Sequence, residues 1–234
     1  MLENNAANIA IFESKHRLMY QLQLATIAII AANVIVTLRG FNDSTFFERY
    51  KFSIGGINAG QKERIVTSGF LHVDFQHLLF NMITLYFFAN VVINWFSPTK
   101  FLIIYMASLA AGSLLAMFFH RNEPFYSAVG ASGAVTGILY SAILLQPDMR
   151  LGFFFIPIPL PAYVLGIGYL LYSIYGMKSR VGNIGHTAHF GGAIGGYLLT
   201  LAFKPSLLVT ETLMVFLLAI PIVLLFILER VGKI

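Results

Sequence analysis

The sequence contains no cysteine. That excludes disulfides, a thiol nucleophile and thiolate metal ligation. Charge is scarce too: Asp, Glu, Lys and Arg make up 11% of 234 residues, where a soluble domain has about 25%. The net charge of +5 is spread without a basic run, so nucleic acid is an unsuitable partner. There is no HExxH motif, the signature of a membrane zinc protease. No internal repeat suggests a transporter built from two halves, and no segment is of low complexity.

What fills the space is apolar. Hydrophobic residues are 58% of the chain, 22 of them Phe, and the mean hydropathy is +0.78. A soluble core of this size has nowhere to hide so much apolar surface. Lipid solvates it, provided backbone polar groups are satisfied within helices. Runs near 20 residues cross the hydrocarbon, and seven are expected: Leu18 to Leu38, Leu71 to Trp95, Phe101 to Phe119, Ser127 to Leu145, Leu160 to Tyr175, Gly185 to Phe203 and Ser206 to Leu228. Long continuous runs favour helices over a barrel. The first is longer than a signal-peptide core and has no convincing cleavage site, so it is expected to be retained. The connection from Arg39 to Phe70 is amphipathic in "STFFERYKFS" and is expected on or partly in the membrane surface.

Charge leaves orientation open. With the N-terminus inside, the inner side holds Lys15, Arg17, Lys100, Arg150 and Lys204, and the larger share of Lys and Arg lies outside, against the positive-inside rule. The second, fourth and sixth spans nevertheless run in one direction, and their N-terminal ends carry the unusual residues. "HVDFQHLLFN" supplies His72, His77 and Asn81; "GASG" supplies Ser132; "GHTAHFGGAIGG" supplies His186 and His189. If these helices start near His72, Ser127 and Asn183, His77, Ser132 and His189 lie at a common depth of roughly 7 to 9 Å. Ionisable side chains in a membrane span point to function. Alone, Ser132 reads as a packing residue bonded to its own helix.

Glycines support a meeting of these helices. Gly133 and Gly137 on the fourth span, and Gly192 and Gly196 on the sixth, are small-xxx-small pairs that let backbones approach. A short serine side chain needs such an approach to reach a histidine on another helix. Neutral His is the usual base for a serine near pH 7, which makes Ser132 the candidate nucleophile and His189 the candidate base. His186 shares a face with His189 and stays open as the alternative. His77, Asn81 and backbone N–H groups at the head of the fourth helix are candidate oxyanion donors. Asp74, the nearest acid, lies toward the surface, so the expectation is a dyad.

"HVDFQHLLFN", "GASG" and "AHFGG" on alternate spans resemble a rhomboid intramembrane serine protease, over roughly Arg64 to Phe203. The resemblance implies an all-α polytopic membrane protein with a rhomboid-like six-helix core and one added C-terminal transmembrane helix. Its parts are a cytoplasmic segment 1–17, a core 18–203 with the first loop 39–70, and an appended helix and tail 204–234. It implies Ser132 as nucleophile, His189 as base, His77 and Asn81 at the oxyanion, and His72 as a structural hydrogen-bonding residue. It further implies no cofactor and no metal, single-span transmembrane protein substrates in membrane lipid, and a bacterial inner membrane with the active site opening to the extracytoplasmic side. The chain departs from the family at Glu63, where a Trp commonly precedes Arg64; at Ile93, where a Glu is common; and at Thr136, where an aromatic four residues after the serine often packs on the histidine. The loss of that ring implies either low activity or a substitute aromatic such as Tyr140 or Phe190.

Two rivals follow from the same residues. Four histidines suit a metal or haem, although no carboxylate or thiolate joins them. A catalytically impaired relative that binds transmembrane helices is the other. Prolines 157, 159 and 161 must interrupt helix before the fifth span, which makes that span a candidate gate.

Overall fold

A computed structural model describes residues 24–153, 156–179 and 185–234. Segment 1–17 with Lys15 and Arg17, the first residues of the expected first span, and Asn183 lie outside the described residues. Helix α1 spans Leu24–Asn42 and leads into the first loop. That loop folds as α2 Ser44–Tyr50, β1 Phe52–Ser53, α3 Ile54–Asn58, α4 Arg64–Thr67 and a 3-10 turn Ser68–Phe70. Then come α5 Phe75–Trp95, α6 Pro98–Phe119, β2 Ser127–Ala128, α7 Ser132–Leu145, β3 Arg150–Phe153, β4 Ile156–Pro161, α8 Ala162–Ser179, α9 His186–Phe203, α10 Leu207–Thr210 and α11 Thr212–Arg230.

Helix starts follow local chemistry. Asp43 caps α2, its carboxylate accepting from the Phe46 N–H. Asp74 caps α5 the same way at His77, 2.7 Å, and Ser97 caps α6 with Pro98 in the first turn. Such caps satisfy N–H groups that a helix start leaves free. Asp74, the acid nearest the candidate site, therefore serves a helix terminus.

Helices α1, α5, α6 and α11 are long and apolar enough to span a membrane. Large apolar side chains face outward along them, among them Ile35, Phe80, Phe87, Leu213 and Phe216. Only lipid tolerates so much exposed apolar surface. Helix α9 lies at the centre and packs chiefly on α6 and α7. At the far end of the bundle, the Lys204 ammonium sits 3.5 Å from the Trp95 ring centre and Lys100 lies over Phe96 and Phe203. Aromatic rings beside cations are typical of a membrane–water interface.

Expected boundaries move: the first span runs on to Asn42, the second begins at Phe75, which leaves His72 before the helix, and the third begins at Pro98. The fourth span begins at Ser132, because Ser127–Ala128 is spent pairing antiparallel with Phe52–Ser53. Ser132 is therefore the first residue of its helix and not roughly 7 to 9 Å along one that starts at Ser127. Its depth comes from a short helix: α7 has 14 residues and is about 21 Å long, some 9 Å short of a hydrocarbon core of about 30 Å. With Leu145 at one face, Ser132 lies below the other. The fifth helix runs from Ala162 to Ser179, and the prolines before it lie in the β3–β4 hairpin, where Arg150 opposes Pro161 and Leu151 opposes Leu160. The sixth begins at His186. The last breaks into α10 and α11 at Glu211, which stands half-buried between them.

The first loop is a folded layer joined to the segment that enters α7. Arg64, buried at 8% exposure, donates through one guanidinium nitrogen to the carbonyls of Glu48 (2.8 Å) and Lys51 (2.7 Å) and through Nε to the Gln61 side chain (2.6 Å). Its neighbour Glu63 pairs instead with Arg49 at the surface. Ile54 and Gly55 donate to the carbonyls of Tyr126 and Pro124. Sequence periodicity shows none of these long-range bonds.

Candidate active site

Ser132 is the first residue of α7, and its start is held from three sides. The Gly130 N–H donates to the Ser68 carbonyl at 3.0 Å. The Ala131 N–H donates to His72 Nε2 at 3.3 Å. The β1–β2 pairing anchors the segment just before. Since Nε2 of His72 accepts, its proton sits on Nδ1, 2.8 Å from Thr37 Oγ1, and Thr37 donates onward to the Phe70 carbonyl. His72 thus joins α1 to the turn beneath Ser132.

Gly130 requires its lack of a side chain. Its φ is +128°, and a Cβ would lie 2.6 Å from Cε1 and 2.8 Å from Nε2 of His77. The His77 ring is packed against this turn and meets His72 edge-on, with centroids 5.0 Å apart. Asn81, buried one turn along α5, donates to the His77 carbonyl at 2.9 Å; its amide carries a second N–H.

His189 comes from the first turn of α9. Its Nε2 is 2.8 Å from Ser132 Oγ. What permits this is the contact of glycine pairs: a Cβ on Gly192 would overlap the Gly133 carbonyl, and one on Gly196 would overlap that of Gly137. The two small-xxx-small pairs face each other, so the α7 and α9 backbones touch where side chains would otherwise stand.

The structure brings Ser132 and His189 together, with His77 and Asn81 on the adjoining helix. It does not bring His186 to the serine. That ring lies against Gly176 of α8, edge-on to His189 with centroids 6.0 Å apart. The four histidines are engaged as two separate couples. Among the described residues no group of three or more His, Asp or Glu could hold a metal ion.

Tyr169 and Ser173 of α8 escaped sequence reasoning. The Tyr169 hydroxyl is 3.0 Å from Nδ1 and 3.1 Å from Nε2 of His189, its ring tilted 31° to the imidazole. Ser173 Oγ is 3.4 Å from Nδ1. The expected substitutes are placed elsewhere: the Tyr140 hydroxyl donates to the Gly166 carbonyl, and Phe190 is buried in the core. Thr136 turns its hydroxyl back to the Ser132 carbonyl, 2.6 Å away. The available signal was the spacing of Tyr169 and Ser173, four apart on one helix face, but nothing in the chain says which helix that face meets.

The family model of the Rhomboid domain matches residues 59–206. "RHOMBOID-like protein 12, mitochondrial" of Arabidopsis thaliana is 32% identical over 71% of this chain and 54% of its own length. "Rhomboid protease GluP" of Bacillus subtilis is 31% identical over 62% of this chain and 27% of its own. "Inactive RHOMBOID-like protein 8" of Arabidopsis thaliana is 36% identical over 34% of this chain and 23% of its own. The chain thus spans about half or less of the length of these relatives.

Proposed function

The chain belongs to the rhomboid family, and on that premise we propose that it is an intramembrane serine endopeptidase acting on transmembrane protein substrates through a Ser132–His189 dyad. The observation that carries this reading is the 2.8 Å contact between Ser132 Oγ and His189 Nε2. Serine becomes a useful nucleophile when a base takes its proton as it attacks. Here Oγ adds to the scissile carbonyl while its proton passes to Nε2. The imidazolium then returns that proton to the leaving amine as the C–N bond breaks, leaving an acyl ester on Ser132. Water, deprotonated by the same nitrogen, hydrolyses the ester.

The tetrahedral intermediate carries an oxyanion that needs donors. Helix α7 starts without a side-chain cap, and the first N–H groups of a helix have no intrahelical partner. The dipole of α7 adds to their pull on negative charge. The second N–H of Asn81, together with His77, completes the proposed oxyanion site. No cofactor is needed for this chemistry.

In this reading 18–203 is the protease core, with the first loop 39–70 bracing the turn before Ser132, and 204–234 is an appended membrane helix and tail. Segment 1–17 lies in the cytoplasm, and Ser132 opens to the extracytoplasmic side of a bacterial inner membrane. Fractionation of a tagged chain with mitochondrial membranes would overturn that location.

The test is labelling with a serine-reactive fluorophosphonate alongside cleavage of a single-span reporter, comparing wild type with Ser132→Ala and His189→Ala. Labelling and cleavage by wild type alone are expected. Equal cleavage by Ser132→Ala refutes the nucleophile. Absence of cleavage by every form, with the reporter still bound, instead favours a catalytically impaired binder of transmembrane helices, as the inactive relative makes plausible.

A further inference from the structure

We propose that Tyr169 of α8 is the positioning residue of the base His189, with Ser173 one turn on as its second contact; this rests on the dyad reading above. An imidazole held only at Nε2 by a serine is free to swing about its Cβ–Cγ bond and to exchange tautomers. Triads fix both with a carboxylate at Nδ1. Among the described residues, the side-chain hydrogen-bond partners of His189 are Ser132, Tyr169 and Ser173, with no carboxylate among them. The burden falls on α8.

The geometry suits it. A hydroxyl 3.0 and 3.1 Å from the two ring nitrogens cannot lie in the imidazole plane, because Cε1 stands between them; it covers one face of the ring. The tilted phenol extends that cover, with centroids 4.9 Å apart. Ser173 Oγ is an acceptor for a proton on Nδ1, which leaves the Nε2 lone pair for Ser132. Ser132, Tyr169 and Ser173 therefore restrain the imidazole at one edge, one face and the other edge.

The test measures fluorophosphonate labelling rate and reporter kinetics on full-length protein in detergent, with thermal unfolding as the folding check. Tyr169→Ala is expected to slow labelling by roughly 10- to 100-fold, the scale of an angstrom of misplacement. It should lower kcat with KM unchanged, as loss of a purely positional effect requires. Tyr169→Phe, which keeps the ring and loses the hydroxyl, restores an intermediate rate. Labelling of Tyr169→Ala at the wild-type rate, or an effect confined to KM, overturns the proposal. Where Tyr169→Ala does not fold, the double variant Tyr169→Phe with Ser173→Ala decides, and an unchanged rate there overturns it equally. Loss of labelling in Ser132→Ala and His189→Ala with normal rates in every α8 variant sinks the positioning role alone. Persistent labelling in Ser132→Ala sinks the dyad and this inference with it.

Discussion

Replacing Gly192 by alanine tests whether backbone contact between α7 and α9 sets the Ser132–His189 distance. The new Cβ would overlap the Gly133 carbonyl oxygen and stand 2.5 Å from its carbon, where ordinary contact begins at 3.4 Å. The obstacle is backbone, which has no rotamer to escape into, so the helices must part by about 0.9 Å to reach ordinary contact with the carbon alone. Gly133 adjoins Ser132, and Gly192 lies one turn beyond His189, so the separation passes to the pair. From 2.8 Å it stretches to about 3.7 Å, outside hydrogen-bond range. Labelling and cleavage should fall by about 10²-fold, and overpacking should cost about 1–3 kcal/mol of stability. Gly168 on α8 has nothing within 4 Å of where its Cβ would stand, so Gly168→Ala is the matched control and should behave as wild type. Wild-type labelling and melting of Gly192→Ala would refute the idea that glycine contact places Ser132 against His189.

Other perturbations probe the supports. Gly130→Ala forces a left-handed φ on a side chain that also meets the His77 ring, and should cost about 1–3 kcal/mol together with most of the labelling; a normal melting profile would count against it. Arg64→Lys has a single nitrogen for the Glu48 and Lys51 carbonyls and loses the separate Nε bond to Gln61. It should destabilise by about 1–3 kcal/mol, read by thermal unfolding, with the Arg49→Ala change at the exposed Glu63 pair worth under about 1 kcal/mol as comparison. His72→Ala strands the buried Ala131 N–H and removes the donor to Thr37, whose own bond to the Phe70 carbonyl stays, and should lower stability by a similar amount; unchanged proteolytic resistance of the first loop would contradict this. His189→Ala should abolish cleavage while His186→Ala retains it, and the reverse would move the base to His186.

Much of the candidate site was legible because its signals are chemical and local. A serine between glycines, histidines at span starts and facing small-xxx-small patterns each carry meaning at fixed spacing. The dyad expectation followed from the lack of an acid beyond Asp74, and Asp74 is occupied as a helix cap. What misled was length. An apolar run reads as one helix from its first hydrophobic residue, yet Ser127 and Ala128 pair with the first loop, and Glu211 divides the last run into two helices. Backbone pairing between distant segments leaves no periodicity to read.

By itself the sequence determined that this is a helical membrane protein and singled out Ser132, His189, His77 and Asn81 as candidates, because lipid demands long apolar runs and makes every polar side chain within them conspicuous. Only the tertiary structure decided which residues attend His189. Thr136 appeared as a missing ring; folding brings Tyr169 to the imidazole from α8, thirty-three positions along the chain. Such a substitution is invisible in one dimension, because helix packing, and not sequence spacing, chooses the faces that meet.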